Sequence, residues 1–284
     1  MTHVPPVPHV VVSLPFDNPG SREIRFLQEA ARFGEIHARL WSDAAVRQAT
    51  GREPRFPAAE RLYFLESVRF VRDARIVDRP ADPADPSDDQ APSVLWVVDG
   101  RVGHPDQVAF CRARGLDCRV LTDADLAGHP AWEPGPPTPG RRKVLVTGSF
   151  DWFHTGHVRF LEEVSALGDL YVVVGHDRNI QLLKGPGHPL FPEQERSYLC
   201  GAIRFVHQAL VSSGDGWLDA EPEIARLRPD VYAVNEDGDK PEKAAFCRAH
   251  GIEYVVLQRT PKAGLAPRSS TDLKARLAQG PAGD

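Results

Sequence analysis

Two histidines, His154 and His157, stand three residues apart in the segment TGSFDWFHTGHVRFL at 147–161. A strand-sized apolar run precedes this segment and a helical pattern follows, so the pair is predicted at the opening of a helix. Both imidazoles can then face the same side of the first turn, where free backbone N–H groups gather. Because a helix N-terminus carries partial positive charge, the sequence predicts a phosphate site there.

Glycines and a lysine add to this phosphate site. Gly148 and Gly156 lack the side chains that would keep a triphosphate away from the backbone. In nucleotidyl transfer the α-phosphorus passes through a five-coordinate arrangement that spreads negative charge over its oxygens, so donors must lie where that charge grows. Two histidines, the helix terminus and Lys184 would supply those donors without a covalent intermediate. The alternative is a purely structural histidine pair at a helix start.

Alternating strand and helix patterns position this loop. The run VLVT at 144–147 predicts a strand, and LYVVVG at 170–175 predicts a second strand that is buried on both faces of a parallel sheet. Between them, apolar residues recur at helical spacing, and Gly168 is predicted to cap the end of this helix. Further strands are predicted at 205–211, 230–234 and 253–257. This alternation predicts a Rossmann-like, doubly wound α/β sheet with its ligand at the carboxyl ends of the strands.

The chain also contains an internal repeat at a shift of about 134 residues. Three blocks match in the same order: 10–34 with 144–168, 56–71 with 191–206, and 109–121 with 245–257. Chance similarity between amphipathic helices would not preserve that order. The sequence therefore predicts two tandem Rossmann-like doubly wound domains with parallel sheets, related by internal duplication.

Proline and glycine mark the boundary between the copies. Residues 131–142, AWEPGPPTPGRR, are predicted to be a linker between a domain at 1–130 and a domain at 143–284. A second stretch, rich in proline and aspartate, at 79–92 is predicted to be a surface loop.

The first copy lacks the residues that could do this chemistry. Gly20 and Glu23 stand where the second copy has its two histidines, and Thr50 stands where it has Lys184. A carboxylate such as that of Glu23 would repel a triphosphate. We therefore predict a noncatalytic, degenerate first domain, which supports the second by packing or by closing over its substrate.

Composition limits the partners and the compartment. A net charge of -5 does not indicate a large electropositive surface for nucleic acid. The four cysteines show neither CxxC spacing nor a dense framework, so we predict no zinc site and no disulfide scaffold, and a cytoplasmic location fits best. Cys111 and Cys247 fall at equivalent helix positions in both copies and are predicted to pack in the cores. No signal peptide and no membrane span is expected.

Three motifs carry a family resemblance. GSFDWFHTGH resembles the G-T-F-D-x-x-H-x-G-H signature of the cytidylyltransferase-like nucleotidyltransferase superfamily. LKGPGHPLFPEQER at 183–196 and RFV at 204–206 resemble successive motifs of the ethanolamine-phosphate cytidylyltransferases, which are also tandem duplications. RTPKAGLAPRSSTDL at 259–273 resembles their terminal R-T-x-G-x-S-T-T-D-L motif. The resemblance spans 143–277 and implies a nucleotidyltransferase that releases pyrophosphate, with Mg2+ bridging the triphosphate oxygens.

The resemblance implies a role for each matching residue. His154 and His157 would stabilise the transferring α-phosphate, and Lys184 would neutralise a phosphate of the NTP or of the acceptor. Four residues would form the nucleotide cradle, with the last of them orienting the loop: Gly148, Ser149, Phe150 and Asp151. Three would start the last helix and offer hydroxyl and N–H groups to the β- and γ-phosphates: Ser269, Ser270 and Thr271.

Other matches depart from the family pattern. Arg259 matches the arginine of the terminal motif, but extra residues separate it from the serines, so Arg268 is the alternative that reaches the phosphates. Arg204 and the segment from Asn235 to Asp237 align with nucleotide-contacting positions, and an ion pair or a strand-end cap would explain Arg204 and Asp237 equally well. The chain has NED where the family has G-D-D or G-N-D, and VHQA where it has V-D-E-V.

These motifs favour a CTP-dependent cytidylyltransferase that acts on a small phosphorylated or phosphonate acceptor. The alternatives are an ATP-dependent adenylyltransferase of the same fold and a noncatalytic nucleotide-binding sensor. A dinucleotide-binding enzyme is disfavoured because no GxGxxG follows either first strand. The acceptor stays open. A homodimer also stays open, because relatives often pair through this fold and the fused copy could occupy the same interface.

Overall fold

The computed structural model of the protein describes residues 9–79, 94–102 and 104–268. It contains two compact units, Met1–Gly128 and His129–Asp284. Each unit is built on one five-stranded sheet. Within the described ranges, none of the helices has the length and apolar character needed to cross a bilayer.

The first unit alternates strands and helices. Its strands are β1 (His9–Leu14), β2 (Glu35–Trp41), β3 (Val71–Val77), β4 (Val94–Asp99) and β5 (Asp117–Leu121). Its helices are α1 (Ser21–Ala30), α2 (Asp43–Thr50), α3 (Ala58–Ser67) and α4 (His104–Arg114). All strand pairs are parallel, in the order β3-β2-β1-β4-β5.

The second unit follows the same plan. Its strands are β6 (Lys143–Gly148), β7 (Asp169–Val174), β8 (Val206–Val211), β9 (Val231–Asn235) and β10 (Glu253–Leu257). Its helices are α5 (Thr155–Ser165), α6 (Asp177–Lys184), α7 (Glu193–Gly201), α8 (Glu221–Leu227) and α9 (Pro241–Ala249). The parallel order is β10-β9-β6-β7-β8.

The two sheets repeat each other in detail. Counted from β8, the second sheet runs β8-β7-β6-β9-β10, which is the order of the first sheet. The strand register shifts between Ile36 and His37 in the first unit and between Leu170 and Tyr171 in the second. The predicted fold class, two doubly wound parallel sheets related by duplication, is confirmed.

Apolar side chains build each core as predicted. Every residue of β7 is buried, because helices cover both faces of the sheet. Cys111 is 1% exposed and Cys247 is 0% exposed, and each lies in an apolar cluster of its own unit. The prediction that these two cysteines pack in the cores is confirmed.

The end of α5 differs from its prediction. The helix stops at Ser165, and Ala166 is its cap, so the prediction of a Gly168 cap is wrong. A Cβ on Gly168 would lie 2.2 Å from the carbonyl oxygen of Arg142. Glycine is needed there because two backbone segments meet, a tertiary contact that helical periodicity does not reveal.

The segment predicted as a linker packs against the second unit. The Trp132 ring stacks on Tyr198 with centroids 4.9 Å apart, and its Nε1 donates to the Tyr198 carbonyl at 2.9 Å. The Thr138 N–H donates to the Asp169 carboxylate at 2.7 Å. Residues 131–142 carry no helix or strand, but these contacts make them part of the second unit.

Candidate active site

The loop between β6 and α5 holds a strained backbone. Phe150 and Trp152 have φ angles of 47° and 60°, a left-handed conformation that is costly for bulky residues. Both side chains are buried. The Asp151 carboxylate is 2% exposed and accepts hydrogen bonds from Leu190 N at 2.8 Å and Phe191 N at 3.3 Å. Burial and these bonds together hold the loop in this shape.

A buried arginine, which sequence reasoning did not single out, supports the same loop. Arg196 is 0% exposed and donates to the carbonyl oxygens of Ser149 at 2.5 Å, Gly175 at 2.7 Å and Phe191 at 2.8 Å. It also pairs with Asp177 at 2.7 Å. Because a buried guanidinium is costly unless its donors are used, these bonds tie the ends of β6 and β7 to the start of α7.

The two histidines begin α5. His154 is the N-cap, and its Nδ1 accepts the Gly156 N–H at 3.0 Å. Nδ1 is therefore unprotonated, and the proton of the neutral ring is on Nε2, where it can be donated. His157 lies one turn further on, and the two ring centroids are 4.0 Å apart. The structure thus brings both predicted imidazoles to one side of the helix mouth.

The surroundings keep His157 neutral. Burial is the largest cause that lowers its pKa well below the ordinary value, followed by electrostatic interactions with His154, Arg259 and Lys184. Its ring also stacks on Phe153 at 5.3 Å. Among the described residues, its Nδ1 has no hydrogen-bond partner. A neutral imidazole carries one N–H group, which can donate a hydrogen bond to a phosphate oxygen.

Lys184 reaches the cradle from the end of α6. Its Nζ lies 2.7 Å from the Ser149 Oγ. The Ser149 backbone is itself held by Arg196. Gly148 precedes it at the end of β6, where an added Cβ would meet the Phe150 ring at 3.0 Å. Lysine, serine and glycine therefore converge on the strained loop, as the motif resemblance implied.

The far side of the mouth is built from residues after β9 and β10. Asn235 is the last residue of β9. Arg259 pairs with Asp237 at 3.0 Å, and its charge contributes to the lowered pKa of His157. The carbonyl oxygen of Arg268 lies 2.7 Å from the position that a Cβ would take on Gly156. The ion pair considered for Asp237 is thus present, and Arg259 and Arg268 both come to the mouth of α5.

One predicted residue, Arg204, is not placed there. It lies two residues before the start of β8, at the amino edge of the sheet, whereas the mouth of α5 lies at the carboxyl edge. The structure therefore does not bring Arg204 to the histidine pair, and we drop it from the site. Ser269, Ser270 and Thr271 lie outside the described residues.

The donors at this site are neutral or positive. In the part of the chain that the structure describes, no group of three or more His, Cys, Asp or Glu side chains could hold a metal ion. The Asp151 carboxylate faces backbone N–H groups, and Asp237 is paired with Arg259. Mg2+ does not fit these residues as a resident cofactor, and it would enter as part of the substrate, on the triphosphate oxygens.

The matching position of the first unit carries the opposite charge. Glu23 Oε2 accepts the Gly20 N–H at 2.9 Å, so a side-chain carboxylate closes the start of α1. The charged side chains that line a cavity of about 210 Å³ beside it are those of Asp17, Glu23 and Asp99, the last of which is paired with Arg22. An incoming phosphate would meet negative charge there, in line with the predicted noncatalytic role.

The first unit also repeats the buried arginine. Arg61 donates to the Phe56 carbonyl at 2.9 Å and pairs with Asp43 at 2.7 Å. The signal was available in the sequence, because the matched blocks FPAAER and FPEQER both end in arginine.

Comparisons with known proteins agree with this geometry. A family model described as cytidylyltransferase-like matches residues 145–275. FAD synthase of Ferroglobus placidus is 38% identical over 120 residues, which are 41% of this chain and 75% of that protein. FAD synthase of Archaeoglobus profundus is 37% identical over 138 residues, which are 48% of this chain and 85% of that protein.

Another kind of relative is a longer protein. The bifunctional protein HldE of Syntrophotalea carbinolica is 37% identical over 99 residues, which are 34% of this chain and 20% of that protein. Fold, helix-mouth donors and these matches define a nucleotidyltransferase-like α/β domain. The chain belongs to the cytidylyltransferase-like family.

Proposed function

We propose that the second unit transfers a nucleoside monophosphate from an NTP to a small phosphorylated acceptor and releases pyrophosphate. The observation that carries this proposal is the stacked pair of His154 and His157 at the mouth of α5, with Lys184 and Arg259 close enough to lower the pKa of His157. Uncharged and cationic donors from three segments thus come together near the helix mouth, which suits an anion whose charge grows during reaction.

The residues would act by binding and orientation. An acceptor phosphate oxygen attacks the α-phosphorus and forms a new P–O bond, while the bond from the α-phosphorus to the bridging oxygen breaks and pyrophosphate leaves. The His154 Nε2–H and the neutral His157 ring would donate to the α-phosphate oxygens, and the N-terminus of α5 would add its partial charge. Lys184 would neutralise a phosphate of the NTP or of the acceptor, and Arg259 and Arg268 would neutralise the leaving pyrophosphate.

ATP is the nucleotide that the relatives favour. FAD contains an adenylate group, and two relatives at 37% and 38% identity are named FAD synthase. CTP is the second candidate, because the KGP and SSTDL motifs resemble those of the ethanolamine-phosphate cytidylyltransferases. Asn235 and Asp237, which align with nucleotide-contacting positions of the family, are the residues that we propose to distinguish the base.

Pyrophosphate release measures this function directly. The full chain is tested with Mg2+ and each of ATP, CTP, GTP and UTP, against FMN, phosphoethanolamine, glycerol 3-phosphate, sugar phosphates and phosphonates. We expect release with ATP and one acceptor class. Release with CTP alone would replace ATP by CTP, and NTP binding in calorimetry without product from any acceptor would favour a nucleotide sensor.

A histidine variant connects the activity to the site. His157→Ala should lower kcat by about 10²-fold or more, the scale for removing one transition-state donor. His250→Ala is the matched control, because this exposed histidine lies at the end of α9 and bonds only to its own helix turn through the Phe246 carbonyl. Equal activity in the two variants would contradict the proposed role of His157.

A further inference from the structure

Residues 258–268, which we name the strap, join β10 to the mouth of α5. The strap has no helix or strand. Arg259 near its start pairs with Asp237, and the Arg268 carbonyl at its end lies against Gly156. Both arginines of the proposed site therefore come from one irregular segment, and their positions depend on what holds that segment.

An ion pair in the middle of the strap fastens it to the helix that bears the histidines. Lys262 Nζ lies 2.7 Å from Glu162 Oε1. The other carboxylate oxygen of Glu162 accepts from Arg159 NH1 at 2.8 Å, so the acceptor is itself held in place on α5. The side chains of Lys262 and Glu162 are 41% and 24% exposed, which leaves the pair partly shielded from solvent.

Chain length shows what this contact restricts. Arg268 lies six positions after Lys262, a stretch that can span at most about 20 Å. Glu162 also lies six positions after Gly156, a rise of about 9 Å along α5. Without the Lys262 ion pair, the nine positions from Arg259, which Asp237 holds, to Arg268 could reach as far as about 30 Å. Fastening Lys262 therefore removes most of the positions that Arg268 could otherwise explore.

We propose that the Lys262–Glu162 ion pair is a positioning device for the NTP: it sets the strap on α5 so that Arg259 and Arg268 meet the leaving-pyrophosphate end of the nucleotide. The inference rests on the proposed function. Neither Lys262 nor Glu162 touches the reacting atoms. Instead, the ion pair orders the strap before the NTP binds, so that less conformational entropy is lost on binding.

Steady-state kinetics and a double-mutant cycle test the device. Lys262→Met should raise KM for the NTP about two- to fivefold, the scale of a partly exposed ion pair, with kcat within about twofold of the wild type. Glu162→Gln should do the same, and Lys262→Arg should restore the wild-type KM. In an Arg268→Ala background, Lys262→Met should raise KM less than in the wild type, because only the contact of Arg259 with the nucleotide is left to disturb.

Arg142→Met is the matched control. Arg142 pairs with Glu253 at 2.5 Å, and this exposed pair lies at the amino edge of the sheet, so its loss should leave KM unchanged. An unchanged KM in Lys262→Met would overturn the inference. A wild-type KM in Glu162→Gln together with a raised KM in Lys262→Met would also overturn it, since Lys262 would then bind the NTP itself. An equal effect of Lys262→Met on KM in the wild-type and Arg268→Ala backgrounds would overturn it as well.

Hydrogen exchange separates failure of this inference from failure of the proposed function. Amides of 258–268 should exchange faster in Lys262→Met than in the wild type, in the absence of any nucleotide, while those of β7 stay protected. Equal exchange in the strap of both proteins would refute the anchor whatever the activity. Faster strap exchange in Lys262→Met, together with no turnover and no NTP binding in the wild type, would refute the proposed function alone.

Discussion

An alanine at Gly156 tests the crowded helix mouth. Its Cβ would lie 2.7 Å from the Arg268 carbonyl oxygen and 2.8 Å from His154 Cε1, where ordinary contact begins at 3.4 Å. The neighbours must therefore retreat by about 0.6 to 0.7 Å. The His154 ring cannot retreat without weakening the bond that its Nδ1 accepts from the Gly156 N–H. Gly156→Ala therefore displaces a proposed donor and the end of the strap together.

The expected effect is on activity far more than on stability. A misplacement of about 1 Å near a reacting centre can cost about 10²-fold, so a shift of this size should lower kcat/KM about 10- to 100-fold. Alanine is the better helix former by about 0.5 to 1 kcal/mol, and the strap is an irregular segment that can move. The melting temperature should stay within a few degrees of the wild type.

Pyrophosphate release and thermal unfolding are measured on the same preparations. Gly135→Ala is the matched control, because a Cβ there meets no heavy atom within 4 Å, and it should behave as the wild type. A Gly156→Ala protein with wild-type kcat/KM would show that neither the His154 ring nor the strap needs its present position. The helix-mouth assignment would then be refuted.

Three other perturbations probe the electrostatics and the packing. The pKa of His157 should lie below its ordinary value of 6.5 in an NMR titration. Because the imidazole of the unfolded chain takes up its proton at a higher pH, the free energy of unfolding should fall as the pH drops below about 6.5. A His157→Asn protein with the same pH dependence of stability would contradict this. Asp151→Ala leaves two backbone N–H groups without their acceptor and should lower the free energy of unfolding, measured in urea, by about 1 to 3 kcal/mol. Asp17→Ala removes one longer hydrogen bond and should lower it by less. A larger loss in Asp17→Ala than in Asp151→Ala would be evidence that the Asp151 bonds do not support the loop. Gly201→Ala would place a Cβ 1.9 Å from the Trp132 ring and should expel the indole, shifting tryptophan fluorescence to the red, and an unshifted spectrum would argue against the packed segment.

The fold could be predicted because its signals are local and repeated. The β-branched run at 170–175 indicated a strand buried on both faces, and the ordered repeat blocks indicated two copies of one domain. Gly168 was misassigned because its reason lies in another segment: the Arg142 carbonyl occupies the space of its missing side chain. Periodicity carries no information on such contacts.

The same difference between local signals and long-range contacts applies to the site. His154 and His157 were predicted from their spacing to lie at one helix start, and the structure places both rings there. Arg204 was carried over from a motif without regard to the strand that begins just after it, which places it at the opposite edge of the sheet. The pairing of Lys262 with Glu162 joins residues one hundred positions apart and leaves no local pattern.

The two copies separate scaffold from chemistry within one chain. Both keep a left-handed phenylalanine after the first strand, with φ of 49° at Phe16 and 47° at Phe150, and both keep a buried arginine bonded to that loop. The first copy keeps these features without the histidines, so the left-handed phenylalanine and the buried arginine do not depend on the histidine pair. What differs is how the helix start is satisfied. In the first copy Glu23 accepts a backbone N–H at the helix start, whereas the second copy has two stacked imidazoles there, which in the proposed function would donate to a phosphate of the NTP.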